Sequence, residues 1–402
     1  MRRHDYARVL MYSHDTFGLG HFRRCREIAH ALVERFKRLQ VLIVSGSSIA
    51  GAFDFRARVD FIKIPSVIKL HNGDYTSLAQ HIDLGETLEM RRAIIQQTAD
   101  LYRPNIFIVD KEPLGLRGEL EHTLVMLKSR GTALVLGLRD VLDAPEQVRA
   151  EWERTDAISK IEALYDAVWV YGDKCFWDPL SGLDVPAVVR ARMTFTGHLG
   201  RSVPRLQTSK LMELPDEYIL VTAGGGGDGA QLMRQVLAAR EYDRTLDFPL
   251  VMVLGPFMLA EERDEIRERS RRVANITVLD FESQIEALML RANAIVSMGG
   301  YNTFCEILSF DKRALLVPRN RPRREQSIRA ARAADLGIVD MLDAGAADDP
   351  RLMARALRAL TERPLPSALG ARIDLDGLET IGEMAGAFID HAIRPFPAAV
   401  GV

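Results

Sequence analysis

Cysteine is scarce in this chain of 402 residues. The three present, Cys25, Cys175 and Cys305, are far apart and match no metal-site spacing. That excludes a disulfide framework and points to a reducing compartment. Long apolar runs are missing too: no window approaches the ~18 residues of a membrane-spanning helix. The N-terminal run MRRHDYARVLMYSHD starts basic, but its apolar stretch is short and no small-residue cleavage site follows. It reads as a first strand rather than a signal peptide, so a cytoplasmic protein is expected. Excess charge of either sign is lacking, at a net −2, which disfavours nucleic acid as a partner. No Asp-x-Asp pair falls in a suitable loop, and no G-x-x-x-x-G-K-[ST] loop occurs. Neither a metal nor another cofactor is expected.

What is abundant is the short apolar run. ARVLMYS (7–13), VLIVS (41–45), FIKI (61–64), NIFIVD (105–110), TALVLGL (132–138), AVWVYG (167–172) and MTFTG (193–197) occupy the first half. YILVTAG (218–224), LVMVLG (250–255), NITVLD (275–280), AIVSMG (294–299) and ALLVP (314–318) occupy the second. Helical patterns separate most of them. Unbroken Val/Ile/Leu strands alternating with helices imply parallel sheets covered on both faces. The expected class is α/β, with two Rossmann-like doubly wound domains facing a central cleft. The seam falls in GHLGRSVPRLQTSKLMELPDE, giving domains over 1–200 and 215–375. A last helix within 376–402 could cross back onto the first domain.

In such sheets ligands bind beyond the carboxyl ends of the strands. Three junctions stand out. In HDTFGLGHFRRC, Gly18 and Gly20 let backbone approach a ligand, and a helix start offers free N–H groups. His21 stands at that entrance, with Asp15 before it and Arg23 and Arg24 one turn on. A dinucleotide fingerprint fails here, because Arg23 takes the place of the third glycine. A tight turn with a polar cap is the plain alternative. In ILVTAGGGGDGAQ, five of the seven residues after Thr222 are glycine: Gly224, Gly225, Gly226, Gly227 and Gly229. Such a loop before a helix cradles phosphate. The spacing fits G-x-G-x-x-G, but the next strand ends in Gly255-Pro256 rather than in a ribose-binding acid, which argues against a nicotinamide enzyme. In AIVSMGGYNTFCEILSF, a short helix carries Asn302, Thr303 and Glu306, and the Glu306 carboxylate could bond a vicinal diol. A solvated helical glutamate is the plain alternative. Arg319, Arg321, Arg323, Arg324, Arg329 and Arg332 then crowd RNRPRREQSIRAARAADLG, with Glu325 and Gln326 among them. They read either as a solvated helix face or as a surface for an anion or a membrane. Asp110-Lys111-Glu112, Arg139-Asp140 and Asp173-Lys174 also follow strand ends, and His198 and Arg201 lie at the seam. His71 reads as a surface-loop residue.

The run SMGGYNTFCEILSFDKRALLVPRNRPRREQSIRA resembles the C-terminal signature of the family-28, lipid-linked disaccharide synthase-type N-acetylglucosaminyltransferases, with Thr303, Glu306, Pro318 and Gln326 at matching places. TAGGGGDGAQ resembles their Gly-Gly-Ser-Gln-Gly-Ala loop, and FTGHLGRSVP their linker. The whole chain also resembles a bacterial glycosyltransferase group. GLGHFRRC is similar to the entrance of the nucleotide-sugar hydrolase of pseudaminic acid synthesis. The resemblance implies a GT-B fold and a nucleotide-sugar donor, usually a uridine diphosphate sugar such as UDP-N-acetylglucosamine. By the same resemblance, Gly20, the Gly224–Gly229 loop and Thr303 would surround the diphosphate. Glu306 would hold the ribose, and Glu325 and Gln326 would reach the sugar. The acceptor is open; a lipid-linked or polysaccharide acceptor, and contact with the inner face of a membrane, come from the family. Two departures stand against the pattern: Asp228 lies in the glycine loop, where it would repel a diphosphate unless turned away, and Arg329 replaces the family's Asn.

A nucleotide-sugar transfer must stabilise the departing diphosphate and take a proton from the acceptor. Backbone N–H groups, helix dipoles and arginines serve the first need without a metal. His21, with an ordinary pKa of about 6.5, serves the second. Asp15 would orient it or be the base itself. The expectation is an inverting, metal-independent glycosyltransferase. Rival readings are a nucleotide-sugar hydrolase, a 2-epimerase and a non-enzymatic nucleotide-sugar binding protein.

Overall fold

A computed structural model describes residues 6–14, 19–69, 75–78, 82–203, 213–225, 227–369 and 373–393. Asp15, Gly18, His71 and Gly226 fall outside these residues.

Seven parallel strands build the first sheet, in the order β3-β2-β1-β6-β7-β8-β9. They are β1 (Ala7–Ser13), β2 (Leu39–Ser45), β3 (Val59–Lys63), β6 (Ile106–Asp110), β7 (Ala133–Arg139), β8 (Ala167–Tyr171) and β9 (Met193–Phe195). A small antiparallel pair, β4 (Val67–Lys69) with β5 (Tyr75–Ser77), stands apart. The second sheet, also parallel, runs β12-β11-β10-β13-β14-β15. Its strands are β10 (Ile219–Thr222), β11 (Leu250–Val253), β12 (Ile276–Leu279), β13 (Ala294–Ser297), β14 (Arg313–Leu316) and β15 (Asp340–Met341).

Alternation along each strand explains why both faces are covered. Leu10, Phe107 and Leu136 pack on Ile95, Leu124 and Ile161. Their neighbours Val9, Ile108 and Val135 pack on the other face, with Ile28 and Leu32 of helix α1 (Gly20–Arg35). Each fully buried aliphatic side chain contributes about 1.5–3 kcal/mol. The second sheet is likewise clad, with Val221, Met252 and Val296 on one face and Leu220, Val251 and Ile295 on the other.

Four helices matter for the site: α1, α2 (Ala230–Tyr242), α3 (Tyr301–Ser309) and α4 (Glu325–Asp335). A fifth, α5 (Gly377–Ile393), returns to the first sheet, where Ile381, Ala385 and Ile389 join the cluster around α1. The chain crosses between the sheets twice, and the crossings bond to each other. His198 N–H donates to the Asp374 carbonyl at 2.8 Å, and Gly377 N–H to that of His198 at 3.1 Å. A Cβ on Gly377 would meet the Gly197 carbonyl at 2.6 Å, so this close crossing requires glycine.

Strand order reverses between β1 and β6 in the first sheet, and between β10 and β13 in the second. Such reversals open a crevice beyond the strand ends. Both crevices belong to the cleft between the sheets.

Candidate active site

The first crevice brings His21 onto Asp110. His21 lies in the opening turn of α1, just after β1, and Asp110 ends β6. The imidazole Nδ1 contacts Asp110 Oδ2 directly. Arg24 grips the same carboxylate through Nε and Nη2, both at 2.8 Å. Arg24 Nη2 also lies 3.0 Å from His21 Nδ1. One nitrogen cannot donate and accept at once, and an ionised carboxylate only accepts. The network therefore assigns Nδ1–H to Asp110 and leaves the lone pair on Nε2. Burial pushes His21 down to about 4, against the pull of Asp110 in the other direction. Burial alone would raise the Asp110 carboxyl; Arg24 and His21 overcome it and hold it well below the usual carboxylate range. The result is a neutral imidazole, oriented by a charged carboxylate.

Next to this pair stands His14, its ring edge-on to His21 with centroids 5.7 Å apart. It is buried, its Nδ1 has no partner among the described residues, and burial lowers its pKa. Lys111 follows Asp110 with φ of 70° and pairs with Glu112 at 2.8 Å. A cavity of about 10 Å³ lies beside them, between Lys111, Glu112, Leu142, Val148, Glu151, Trp152 and Arg323. That is room for one water.

Facing these groups is the second crevice. Thr222 ends β10, and its Oγ1 accepts from Gly224 N–H at 3.3 Å. Gly224 has φ of 65°, a left-handed conformation that favours glycine. Helix α2 follows at Ala230 with no side-chain cap on its N–H groups. Asp228 is turned onto Arg319 at 2.5 Å, which neutralises the carboxylate that the glycine loop would otherwise set against a phosphate. After β13, α3 carries Thr303 and Glu306, both buried. Asn302 Nδ2 donates to the Gly20 carbonyl at 3.0 Å, tying the two helix entrances together.

Glu306 is not the solvated glutamate that its helix pattern allows. It is fully buried, and Arg23 of α1 bridges it to Glu286 at 2.5 and 2.6 Å. Its Oε2 has no partner among the described residues. Burial raises its pKa to about 7, against the attraction of Arg23.

The arginine-rich segment is not a free basic surface. Arg329 bonds both oxygens of Asp140. Arg323 reaches Asp143 and Glu151, and Arg324 reaches Glu146. Arg319 holds Asp228 and Glu325, and Arg332 donates to the carbonyls of Cys175 and Phe176. Four of these partners belong to the first domain's carboxylates, so the segment clamps the domains together. The anion or membrane surface that the sequence allowed loses these five arginines to contacts within the chain. Gln326 accepts from Arg319 N–H at 3.4 Å, with Glu325 beside it. His198 is fully buried against Phe176, Phe304 and Tyr301, 3.5 Å from Asp140.

The structure thus gathers His21, Gly20, Thr303 and Glu306 on the two walls of one cleft, with Glu325 and Gln326 beside Arg319. The part of Asp110 was missed in the sequence, where it was only one of several polar residues after a strand. Its signal is its place at the reversal of strand order. A second, larger pocket of about 330 Å³ lies near Glu27, His30, Glu34, Arg56 and Glu379, and contains none of these groups.

Residues 218–368 match the glycosyltransferase family 28 C-terminal domain. Among curated proteins, none matches the sequence. Solved structures match along nearly the whole chain. The glycotransferase of kitacinnamycin superposes with a TM-score of 0.61 at 16% identity, covering 97% of this chain and 100% of its own. MurG of Acinetobacter baumannii gives 0.57 at 13%, covering 96% and 99%. The glycosyltransferase VinC, solved in complex with dTDP, gives 0.58 at 17%, covering 96% and 100%. The chain has the two-domain GT-B fold of these structures. Its second domain is of the family-28 type.

Proposed function

We propose that this enzyme moves a sugar from a nucleoside diphosphate sugar, with uridine the expected base, to a hydroxyl of an acceptor, with inversion and without a metal. The observation that carries the reading is the His21–Asp110 contact at one strand-order reversal, facing the glycine loop and α3 at the other. His21 Nε2 takes the acceptor proton as the oxygen attacks the anomeric carbon. Asp110 fixes the ring and stabilises the imidazolium that forms. The bond to the diphosphate breaks on the opposite face, and the N–H groups around Gly224–Gly229, with the start of α2, receive the charge. Glu306 is the proposed ribose ligand, and Glu325 and Gln326 the proposed sugar contacts. These residues are buried between the domains, so donor entry requires the domains to part and Arg23 to release Glu306.

Calorimetric titration with nucleoside diphosphates, followed by a screen of the matching sugar donors, tests this. Binding of one diphosphate, and product of inverted configuration that disappears in His21→Ala, is the expected result. Free sugar formed at full rate without any acceptor would replace transfer by hydrolysis. A product of retained configuration would overturn the in-line mechanism.

A further inference from the structure

Arg139 ends β7, the strand beside β6 and its Asp110. Its neighbours in the cleft all have carboxylates of their own: Arg24 has Asp110, Arg329 has Asp140, Arg323 has Glu151, and Arg319 has Asp228 and Glu325. Arg139 has none within ion-pair distance among the described residues. Its hydrogen bond is a long one, from Nη2 to the Leu142 carbonyl at 3.3 Å, and its Nε is buried without a partner. In the second domain, Glu325 Oε2 and Arg319 Nε are also buried and without a partner among the described residues. Glu325 is the strongest charged neighbour of Arg139, and Arg139 of Glu325, yet the two do not pair. Asp140, the residue after Arg139, holds Arg329, one turn along α4 from Glu325, so these three unsatisfied atoms lie where the end of β7 meets the start of α4.

A guanidinium cannot escape this cost by giving up its proton at neutral pH. Burial lowers Arg139, and only to about 10, so it stays charged. Arg139 as a whole is only partly buried, but its Nε is closed off from water. An unpaired guanidinium nitrogen there is costly, and what relieves it is an oxyanion that accepts its N–H groups. We propose that Arg139 contacts substrate: its guanidinium takes a carboxylate or phosphate of a molecule held between the domains, and Glu325 takes a hydroxyl of the same molecule. The proposal rests on the donor-site reading above. Arg139 belongs to the first domain, whereas the diphosphate cradle belongs to β10 and β13 of the second. The oxyanion is therefore one other than the nucleotide's own, carried by the sugar or by the acceptor.

The test is calorimetric titration of inorganic phosphate into the full chain, alone and saturated with UDP, for wild type, Arg139→Gln and Arg139→Lys. Phosphate should bind the UDP-loaded wild type, roughly tenfold more weakly in Arg139→Gln and with an intermediate loss in Arg139→Lys, while UDP affinity changes less than about twofold. If Arg139→Gln instead weakens UDP about tenfold, and UDP excludes phosphate from the wild type, the oxyanion is the nucleotide's diphosphate and the separate site is refuted. Equal phosphate binding in all three proteins, or none in the wild type, removes Arg139 as a ligand contact. Failure of UDP to bind the wild type counts against the donor site alone, and the comparison in phosphate without UDP then decides on Arg139. Thermal midpoints check the fold; if Arg139→Gln does not fold, the Arg139→Lys comparison carries the result.

Discussion

Arg329 and Asp140 lie 189 residues apart and meet across the cleft in a two-pronged ion pair, with N–O distances of 2.7 and 2.6 Å. Both are fully buried, and Arg329 spends a further N–H on the Gly299 carbonyl at 3.1 Å. The pair joins the end of β7 to α4, and so helps to fix how the two crevices face each other.

That burial sets the first expectation. Asp140→Ala leaves a guanidinium with no counter-charge in a closed interface, which costs about 3–5 kcal/mol. Replacing both residues with apolar ones of similar size, Asp140→Leu with Arg329→Met, should recover most of the loss, because neither charge is then stranded. Urea unfolding of the single and double variants measures it. A single variant within about 1 kcal/mol of wild type would mean that this interface opens freely to water.

The His21–Asp110 contact predicts a pH profile. A general base works only when neutral. With burial holding His21 near 4, it is neutral throughout the physiological range. The acid limb of kcat/KM should therefore lie near pH 4, well below the value of about 6.5 for a free imidazole. Asp110→Asn removes the group that favours the protonated ring, so the limb should move lower still, while the rate falls about a hundredfold or more as the tautomer and orientation are lost. An acid limb at pH 6.5 that Asp110→Asn leaves in place would show that another group is the base.

Glu306 and the histidines pull stability in opposite directions as pH changes. A carboxyl raised from 4.5 to about 7 binds a proton in the folded chain before it does so in the unfolded one. Its contribution to stability therefore grows as pH falls from 7 to 4.5. His21 and His30, lowered from 6.5 to about 4, contribute fully above 6.5 and lose that contribution as pH falls towards 4. Glu306→Gln removes the first effect and keeps the second. Neutral Gln resembles the protonated acid, so the variant should be more stable than wild type at pH 8 and lose that advantage progressively between pH 7 and 5, as thermal unfolding at each pH would record. On the ribose reading, its affinity for UDP drops roughly tenfold at neutral pH. Unchanged affinity with the expected stability profile would leave Glu306 a purely structural residue.

Much of this architecture is legible in the sequence, because strands buried on both faces announce themselves as unbroken Val/Ile/Leu runs. All twelve such runs form strands, with ends shifted by a residue or two. The missed elements are the short ones: β4 and β5, and the two-residue β15, whose apolar content is too small to show a period. The site divides in the same way. Glycine loops and helix entrances are local, so Gly20, His21, Gly224 and Thr303 could be assigned to strand-to-helix junctions. Pairing is not local. Arg23 lies 283 residues from Glu306, and Arg323 lies 172 from Glu151. No window of sequence distinguishes an arginine bound for the opposite domain from one bound for solvent. For the same reason Glu306 could be singled out on its helix while its burial could not.

Gly137 offers a prediction that joins strand packing to the site. It lies in β7, two residues before Arg139, and pairs in register with Asp110 on one side and Trp169 on the other. A Cβ added there would sit 2.1 Å from Tyr171 Oη and 2.7 Å from its Cζ. Tyr171 is fully buried at the end of β8, with a hydroxyl that has no partner among the described residues, so the ring cannot swing out to water. Gly137→Ala should therefore destabilise by about 1–3 kcal/mol through overpacking. Tyr171→Phe in the parent background removes an unsatisfied buried hydroxyl and should be neutral or slightly stabilising. In the double variant the ring carbon still crowds the new methyl group, so rescue should be partial. The displaced ring lies beside Asp110 and Arg24, both of which act electrostatically on its hydroxyl. Gly137→Ala should accordingly lower kcat as well as stability, because His21 depends on where Asp110 stands. Full activity in a destabilised Gly137→Ala protein would show that the strain relaxes away from the His21–Asp110 pair, towards the outer strands β8 and β9.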